Sequence, residues 1–178
     1  VNVWHPTATA GKRPVMVWFP GGGFMRGGAS DPLYDGASFA RQGMVLVSFN
    51  YRLGIDGFAH LPGTVPNRGL LDQLAALRWV HDNIHHFGGD AACVTAFGVS
   101  AGSGSLACLM AMPQSRGLMH RVILQSPSVS VQTPAENAVA VRAIAHRLGI
   151  DPSAQALAAA PMAQVASEVA RLAGSYAL

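Results

Sequence analysis

The chain has little charge and no long apolar run, and both shortages argue against whole classes of protein. Only 12% of its 178 residues are charged, with 12 Lys and Arg against 9 Asp and Glu. These charges are scattered along the chain rather than clustered, so the sequence predicts no nucleic-acid partner. No run reaches the ~18 apolar residues that a membrane span requires, so we expect no membrane partner either.

Cysteine is also scarce, and so are the features that usually open a protein. Cys93 and Cys108 fall in apolar surroundings, so we expect both to be reduced core residues that report no redox compartment. Val1 leads directly into a strand-like pattern, with neither an initiator Met nor a signal-type segment. The sequence is therefore expected to begin partway through a protein, and its localisation stays open.

Apolar residues make up 50% of the chain, and their pattern alternates between strand and helix. Continuous apolar runs bounded by Gly or Pro predict buried parallel strands. Helical patterns fall between them. The predicted strands cover residues 14–20, 43–49, 94–97 and 121–124, and the predicted helices cover 37–41 and 70–84. This alternation predicts a mostly parallel α/β sheet flanked by helices.

In the C-terminal third, helical patterns replace the alternation of strand and helix. Thr133 and Glu136 form a capping box with proline between them at the first helical position, and Gly149 is expected to end that helix. Two short alanine-rich helices are predicted to follow residues 151–152 and Pro161. No strand pattern follows Leu124, so we interpret 1–178 as a single partial domain with a helical segment over 133–178.

Ser100 lies between two glycines, directly after a predicted strand and before a helix-forming run. This context is typical of a tight strand–turn–helix that exposes a nucleophilic serine at its apex. Gly98 and Gly102 have no Cβ, which lets the strand and the helix approach each other closely. In a chain with 20 glycines the motif alone is weak evidence, so the rest of the chain must decide.

A second glycine-rich turn, Gly21 to Phe24, follows the first strong strand. Backbone N–H groups at such a turn can bind developing negative charge. The alternatives are a flexible turn or a phosphate loop, but neither G-x-x-x-x-G-K nor G-x-G-x-x-G is present. In a parallel sheet this turn and Ser100 both lie at the carboxyl ends of strands, and the helix that begins at Ala101 adds positive potential.

Together with several other stretches, these motifs resemble the type-B carboxylesterase family, which includes cholinesterases and bacterial para-nitrobenzyl esterases. The likeness runs in order through most of the chain. The matching stretches are Asn2 to Trp4, Gly21 to Phe24, Asn50 to Gly54, Asn67 to Gln73, Trp79-Val80, Asp82 to Ile84, Phe87 to Asp90 and the elbow with Ser103. The related hormone-sensitive-lipase-like esterases lack the blocks at 71–73 and 87–90.

The resemblance implies an α/β-hydrolase fold, present here as its N-terminal half without the last strands, and hydrolysis of carboxylic esters. It implies that Ser100 is the acyl-accepting nucleophile. It also implies that the backbone N–H groups of Gly22, Gly23 and Ala101 form the oxyanion hole. The implied partner is a small-molecule ester; no cofactor or metal is implied, and the oligomeric state stays open.

Other positions either match or depart from the family pattern. Arg52 and Asp90 match an ion pair that is structural in the family. Pro20 replaces the usual His or Tyr and removes a side chain that braces the glycine turn. Val99 replaces the usual Glu, a buried acid expected near the catalytic histidine, and so alters the electrostatic setting of that histidine. Ser-Pro at 126–127 replaces Ser-Gly.

A serine nucleophile also needs a histidine and an acid, which follow it in the order Ser, acid, His in this fold. His120 precedes its strand, which places it at the opposite end of the sheet from Ser100. Glu136 and His146 lie ten residues apart on one predicted helix, about 15 Å at ~1.5 Å per residue, too far for a hydrogen bond. The resemblance places the acid and the histidine beyond this chain, so we expect the chain alone to be weakly active or inactive.

Two further hypotheses remain at this point. His81 and His85 have the i, i+4 spacing of metal ligands, but no third ligand is apparent, and a solvated helix face is the better interpretation. The alternative function is a non-catalytic, cholinesterase-like module for binding or adhesion. Ser100 argues against that alternative, whereas Val99 and the missing histidine leave room for it.

Overall fold

The computed structural model describes residues 1–7, 11–128 and 131–175. It divides into two compact units. Unit 1 comprises the described residues of Val1–Tyr51 and Leu70–Val129, and unit 2 comprises those of Arg52–Gly69 and Ser130–Leu178. The prediction of a single partial domain over 1–178, with a helical segment over 133–178, stays a prediction.

Unit 1 is built on a five-stranded, mostly parallel sheet. Its strands are β1 (Asn2–Trp4), β2 (Arg13–Phe19), β3 (Val45–Ser48), β4 (Gly89–Val99) and β5 (Arg121–Gln125). They are ordered β1-β3-β2-β4-β5; β1 runs antiparallel to β3, and the other pairs are parallel. The predicted fold class is confirmed, and all four predicted strands are present.

Seven α-helices accompany the strands along the described part of the chain. They are α1 (Ala37–Arg41), α2 (Gly54–Phe58), α3 (Arg68–Asn83), α4 (Ala101–Ala111), α5 (Pro134–Leu148), α6 (Ala154–Ala159) and α7 (Met162–Ser175). In unit 1, α1 packs on β1 and β3, while α4 packs on β2, β4 and β5. None of the described helices combines the length and the apolar character needed to cross a bilayer.

The central strands form because their residues are buried on both faces of the sheet. Val15, Val17 and Phe19 of β2 are fully buried, and so is most of β3. Phe19 packs edge-on against Phe49, with ring centroids 4.9 Å apart. Each such side chain contributes about 1.5–3 kcal/mol by leaving water, so these strands are the rigid part of unit 1.

The register of the sheet brings three strand ends to one edge. Phe19 pairs with Gly98, and Val99 pairs with Gln125, so β2, β4 and β5 all end at the same level. The glycine turn follows β2, Ser100 follows β4, and Ser126 follows β5. The site residues predicted on separate motifs therefore share one edge, as expected for a parallel α/β sheet.

The elements differ from the sequence predictions in several details. β4 begins at Gly89 rather than near 94, since small and polar residues in its first half hide it from an apolar-run search. The helix α2 was not predicted, and α7 has 14 residues where a short helix was expected. Both cysteines are free, as predicted, but they are half-buried rather than core residues.

Unit 2 has its own apolar core. Its buried members come from α2, the segment after α2, and the three C-terminal helices: Ile55, Ala59, Leu61, Val141, Ile144, Leu157 and Val165. Arg147 of α5 forms an ion pair with Glu168 of α7, and this contact, above all its hydrogen bond, lowers the pKa of the Glu168 carboxyl. Apolar contact and this ion pair both link α5 to α7.

The capping box predicted for α5 is confirmed. Thr133 Oγ1 accepts a hydrogen bond from Glu136 N at 3.3 Å, and Glu136 Oε2 accepts one from Thr133 N at 2.7 Å. Gly149 ends the helix with a left-handed φ of 67°. The backbone and side-chain hydrogen bonds from Thr133 lower the pKa of the Glu136 carboxyl in the folded chain. The contribution of this contact to stability is therefore fully present above the pKa that the carboxyl has in the unfolded chain. It is lost as the pH falls through the lower pKa of the folded chain.

Replacing Thr133 by alanine should therefore weaken the start of α5. Thr133→Ala removes the acceptor for the Glu136 N–H, and we expect it to lower the free energy of unfolding by about 1 kcal/mol, as measured by urea denaturation. Thr133→Ser keeps the hydroxyl and should stay close to wild type. Equal losses in the two variants would contradict a role for the cap.

Candidate active site

Ser100 occupies a strained turn between β4 and α4. Its backbone adopts φ 53° and ψ −119°, which a residue with a side chain rarely adopts. β4 ends at Val99, and α4 begins at Ala101, so a single residue connects strand to helix. Strain of this kind costs about 1–3 kcal/mol and persists only where the surrounding structure enforces it.

The two flanking glycines make this turn sterically possible. A Cβ on Gly102 would lie 2.1 Å from the Phe19 carbonyl oxygen, and one on Gly98 would lie 2.9 Å from the same oxygen. Contacts this short with backbone atoms cannot be relieved by a side-chain rotation. The prediction that both positions need the absence of a Cβ agrees with these contacts, which lie against the end of β2.

Ser103 braces the turn from inside α4. Its buried Oγ accepts a hydrogen bond from Gln125 N at 2.7 Å. The same oxygen lies 2.6 Å from the Gly98 carbonyl oxygen and 2.9 Å from that of Gln125, so its single proton is donated to one of them. One hydroxyl therefore joins the end of β4, the first turn of α4 and the end of β5.

The backbone of Ser100 is also held by the segment that leaves β5. Ser100 N donates to Gln125 O at 3.0 Å, and Ser100 O accepts from Gly104 N at 2.9 Å. A Cβ on Gly104 would lie 2.2 Å from the carbonyl oxygen of Ser128, so the segment after β5 lies directly against α4. Ser126, which precedes the Pro127 that departs from the resembled family pattern, adopts a positive φ of 45° within this segment.

The glycine turn touches the elbow directly. A Cβ on Gly21 would lie 3.4 Å from Ser100 Cβ and 2.8 Å from the Val99 carbonyl oxygen. Gly22 follows at φ 119°, where a Cβ would collide with the Arg26 carbonyl oxygen at 1.9 Å. The Gly22 carbonyl oxygen is used within the turn, since it accepts from Met25 N and Arg26 N.

Three backbone N–H groups of the glycine turn and of α4, by contrast, find no acceptor in the described part of the chain. Within the described residues, the N–H groups of Gly22, Gly23 and Ala101 donate no hydrogen bond, and the Ser100 side chain does not cap α4. The first N–H groups of a helix carry partial positive charge. Ser100 and Gly22 are half-buried, and Gly23 is exposed. The arrangement can therefore bind an anionic oxygen close to Ser100.

Pro20, between β2 and the glycine turn, is held by a buried phenol. Tyr51 Oη donates to the Pro20 carbonyl oxygen at 2.9 Å. Burial, with a smaller contribution from nearby Tyr34, raises the pKa of the Tyr51 phenol to about 12. The phenol therefore stays a hydrogen-bond donor throughout the physiological pH range.

The candidate acids and bases are not joined to Ser100. Among the described residues, no histidine or carboxylate forms a hydrogen bond with it. His120 lies beside Val94, at the far end of the β4–β5 pair, as predicted. Glu136 and His146 occupy opposite ends of α5, as the ten-residue spacing requires.

Asp90, one half of the predicted ion pair, bonds to a backbone N–H group two residues away. Asp90 Oδ1 accepts from Ala92 N at 3.0 Å; Arg52 belongs to unit 2 and Asp90 to unit 1, so their pairing stays a prediction. His85 lies beyond the end of α3, in the short 3-10 helix that follows. His81 and His85 therefore do not lie one turn apart on an α-helix, as the metal hypothesis requires. In the described part of the chain, no three His, Cys, Asp or Glu residues cluster as metal ligands would.

The comparisons with known proteins decide the family. The model of the carboxylesterase family matches residues 1–171. This chain belongs to the carboxylesterase family. The carboxylesterase chain is 46% identical over 156 residues to a para-nitrobenzyl esterase of Bacillus subtilis (strain 168), covering 85% of this chain and 32% of that protein. It is 44% identical over 158 residues to an acetylcholinesterase of Bungarus fasciatus, covering 84% and 26%.

Solved carboxylesterases share the fold as well. A Geobacillus stearothermophilus carboxylesterase superposes with a TM-score of 0.88 at 39% identity, over 96% of this chain and 39% of the other. A juvenile hormone esterase of Manduca sexta gives 0.86 at 28% identity, over 94% and 34%. The predicted α/β-hydrolase fold and the type-B resemblance are thus confirmed. The carboxylesterase chain spans about a third of the length of the relatives that it matches.

Some residues that shape the site are not evident from sequence motifs. The Ser103 brace, the Tyr51 bond and the buried hydrogen bond from Gln73 Nε2 to Ser105 Oγ, 3.0 Å long, depend on contacts across 22 to 32 residues. Ser103 was noted only as part of the family pattern. The one available signal was its place on the first turn of α4, which faces the ends of the strands.

Removing the Ser103 hydroxyl should loosen the elbow. Ser103→Ala deprives Gln125 N and a backbone carbonyl of their shared partner inside the protein, and we expect a loss of about 1–3 kcal/mol in the free energy of unfolding. Denaturant titration measures it. Ser38→Ala changes an exposed serine and should shift the free energy by less than about 0.5 kcal/mol. Equal effects of the two substitutions would contradict the brace.

Proposed function

We propose that this chain carries the nucleophile and the oxyanion hole of a serine carboxylic-ester hydrolase that works through an acyl-enzyme. Ser100 is the nucleophile, and the N–H groups of Gly22, Gly23 and Ala101 form the hole. The single observation that carries the proposal is the contact between the glycine turn and the strained Ser100, where three N–H groups of the turn and of α4 donate to no described residue. The substrate class is a small-molecule carboxylic ester.

The proposed reaction has two halves. Ser100 Oγ attacks the ester carbonyl carbon and gives its proton to a base, while the carbonyl oxygen becomes an anion held by the three N–H groups. The bond to the alcohol breaks, and the alcohol leaves with that proton. Water then attacks the acyl-serine, releases the carboxylic acid and restores the Ser100 hydroxyl. None of these steps calls for a cofactor or a metal.

Strain at Ser100 favours catalysis over the alternative of a binding or adhesion module. Such a module gains nothing from a serine held at φ 53° or from glycines packed onto carbonyl oxygens. A nucleophile needs both, because they aim the hydroxyl away from the core beside a site for the anion. The N–H group of Ala101, a buried residue in the first turn of α4, has no acceptor among the described residues and is available to such an anion.

The base and its acid are proposed to come from outside residues 1–178. Within unit 1, the candidate His120 lies at the wrong end of the sheet. Val99 brings an aliphatic side chain, not a carboxylate, next to Gly21 and Ser100. A histidine that approaches Ser100 would therefore meet no carboxylate from position 99, and its pKa would not be raised from that side.

Relatives of this chain are named for the hydrolysis of different compounds. They include a fumonisin B1 esterase of Sphingopyxis macrogoltabida and a phenmedipham hydrolase of Pseudarthrobacter oxydans, at 45% and 44% identity. The structure of the Manduca sexta juvenile hormone esterase has OTFP covalently attached. For this chain we propose only the general chemistry of an esterase, attack on the carbonyl carbon of a carboxylic ester.

Covalent labelling tests the proposal directly. A fluorophosphonate probe should label residues 1–178 slowly, because an oxyanion hole and binding without a base retain only about 10³–10⁴-fold acceleration over water. Ser100→Ala should abolish the label, as followed by intact-protein mass spectrometry. Ser30→Ala, at an exposed serine of the same unit, should label at the wild-type rate.

Two outcomes would contradict parts of the proposal. Labelling that survives Ser100→Ala would show that Ser100 is not the nucleophile. Rapid stoichiometric labelling that depends on Ser100 would show that an effective base lies within residues 1–178 after all.

A further inference from the structure

The carbonyl of Pro20 stands where the two halves of the proposed site meet. Pro20 is the last residue before the glycine turn, and it is buried. A Cβ on Gly102 would lie 2.8 Å from its oxygen, so the helix that follows Ser100 packs against this carbonyl. On its other side, the oxygen accepts the hydrogen bond from Tyr51 Oη at 2.9 Å.

Tyr51 lies in the connection that follows β3, the strand next to β2. β3 ends at Ser48, beside Trp18 of β2, and the buried Phe49 packs on Phe19. Asn50 Oδ1, in the same connection, accepts from Ala29 N at 2.7 Å, beyond the glycine turn. The connection after β3 therefore holds the segment on both sides of the turn, at Pro20 and at Ala29.

From these contacts we propose that Tyr51 is a positioning residue for the oxyanion hole. Its hydroxyl fixes the peptide plane between Pro20 and Gly21, and thereby the direction of the N–H groups that follow at Gly22 and Gly23. The proposal rests on the proposed function, because it assigns a task to Tyr51 only if those N–H groups bind the oxyanion.

Physical constraints support this task. The proline ring limits φ at position 20, so a bond at the carbonyl oxygen removes the principal remaining freedom, rotation of the next peptide plane. Glycine has no side chain and adopts many backbone conformations, so the glycines of the turn do not fix its direction by themselves. A turn of glycines therefore needs its entry fixed from outside, and the buried phenol does so at Pro20. Position 20 itself has no side-chain donor with which to brace the turn.

Protonation of Tyr51 does not vary in the working range. With its pKa raised to about 12 by burial, the phenol keeps its proton at neutral and moderately alkaline pH. The brace is therefore permanent rather than a switch. It also satisfies a buried hydroxyl, so its removal has a structural and a positioning component, which the experiment must separate.

Tyr51→Phe removes only the hydroxyl, and Tyr34→Phe is the matched control. Tyr34 packs on Trp18 with ring centroids 5.1 Å apart, in the same unit, and among the described residues its hydroxyl forms no hydrogen bond with Tyr51 or Pro20. For Tyr51→Phe we expect the saturated rate of phosphonylation of Ser100 to fall by about 10-fold, less than the ~10²–10³ for loss of a whole donor. The probe concentration at half-saturation should change little. Tyr34→Phe should retain the wild-type rate.

A second readout is independent of chemistry. The backbone amide shifts of Gly21, Gly22 and Gly23, measured by NMR on the 15N-labelled chain, should move in Tyr51→Phe and stay in place in Tyr34→Phe. Unchanged glycine shifts in folded Tyr51→Phe would overturn the positioning role. So would shifts that move while the Ser100-dependent labelling rate stays at the wild-type value.

Failure of the proposed function looks different. In that case labelling is insensitive to Ser100→Ala, whatever Tyr51→Phe does to the glycine shifts.

If Tyr51→Phe does not fold, a titration of the wild-type chain replaces it. For this experiment Tyr51 is specifically labelled with 13C at Cζ. Its resonance should titrate well above the ordinary range of a tyrosine, and the Cα 13C shifts of Gly22 and Gly23, which need no amide proton, should move with the same midpoint while circular dichroism still shows a folded chain. Glycine shifts that ignore this titration would overturn the proposal.

Discussion

The strained backbone of Ser100 is the constraint on which the rest of the site depends. A residue at φ 53° and ψ −119° would relax if its neighbours allowed it. It is prevented from relaxing by the hydrogen bond to Gln125, by the Ser103 hydroxyl and by close packing of Gly102 on the carbonyl oxygen of Phe19. These restraints come from β2, β5 and α4, so the elbow holds its shape only when the whole sheet edge is assembled.

The glycine turn depends on the same edge. Gly21 lies against Val99 and Ser100, and Pro20 lies between Tyr51 and Gly102. The turn and the elbow therefore share contacts rather than merely facing each other. An oxyanion hole made of backbone N–H groups requires this arrangement, because no side chain can be re-aimed to compensate for a displaced peptide. A change that destabilises this edge of the sheet would therefore also alter the geometry of the site.

Much of the fold follows from local sequence patterns, and part of it does not. The apolar runs of β2 and β3 and the capping box at Thr133 determine their own elements, so they were predicted correctly. The first half of β4 has no apolar run, and its first residue, Gly89, pairs with Arg13, a partner distant in sequence. For the site, G-x-S-x-G and the glycine turn were visible because glycine is required at those points. The Tyr51 bond and the Ser103 brace depend on partners brought close only by folding.

The structure of a phosphonate adduct of this chain would show whether the glycine turn and Ser100 form one site. We expect a covalent bond from the phosphorus to Ser100 Oγ. The phosphoryl oxygen should then lie about 2.7–3.1 Å from the N–H groups of Gly22, Gly23 and Ala101. A phosphoryl oxygen directed into solvent, with the glycine turn moved away from Ser100, would contradict the central claim that the two motifs form one site.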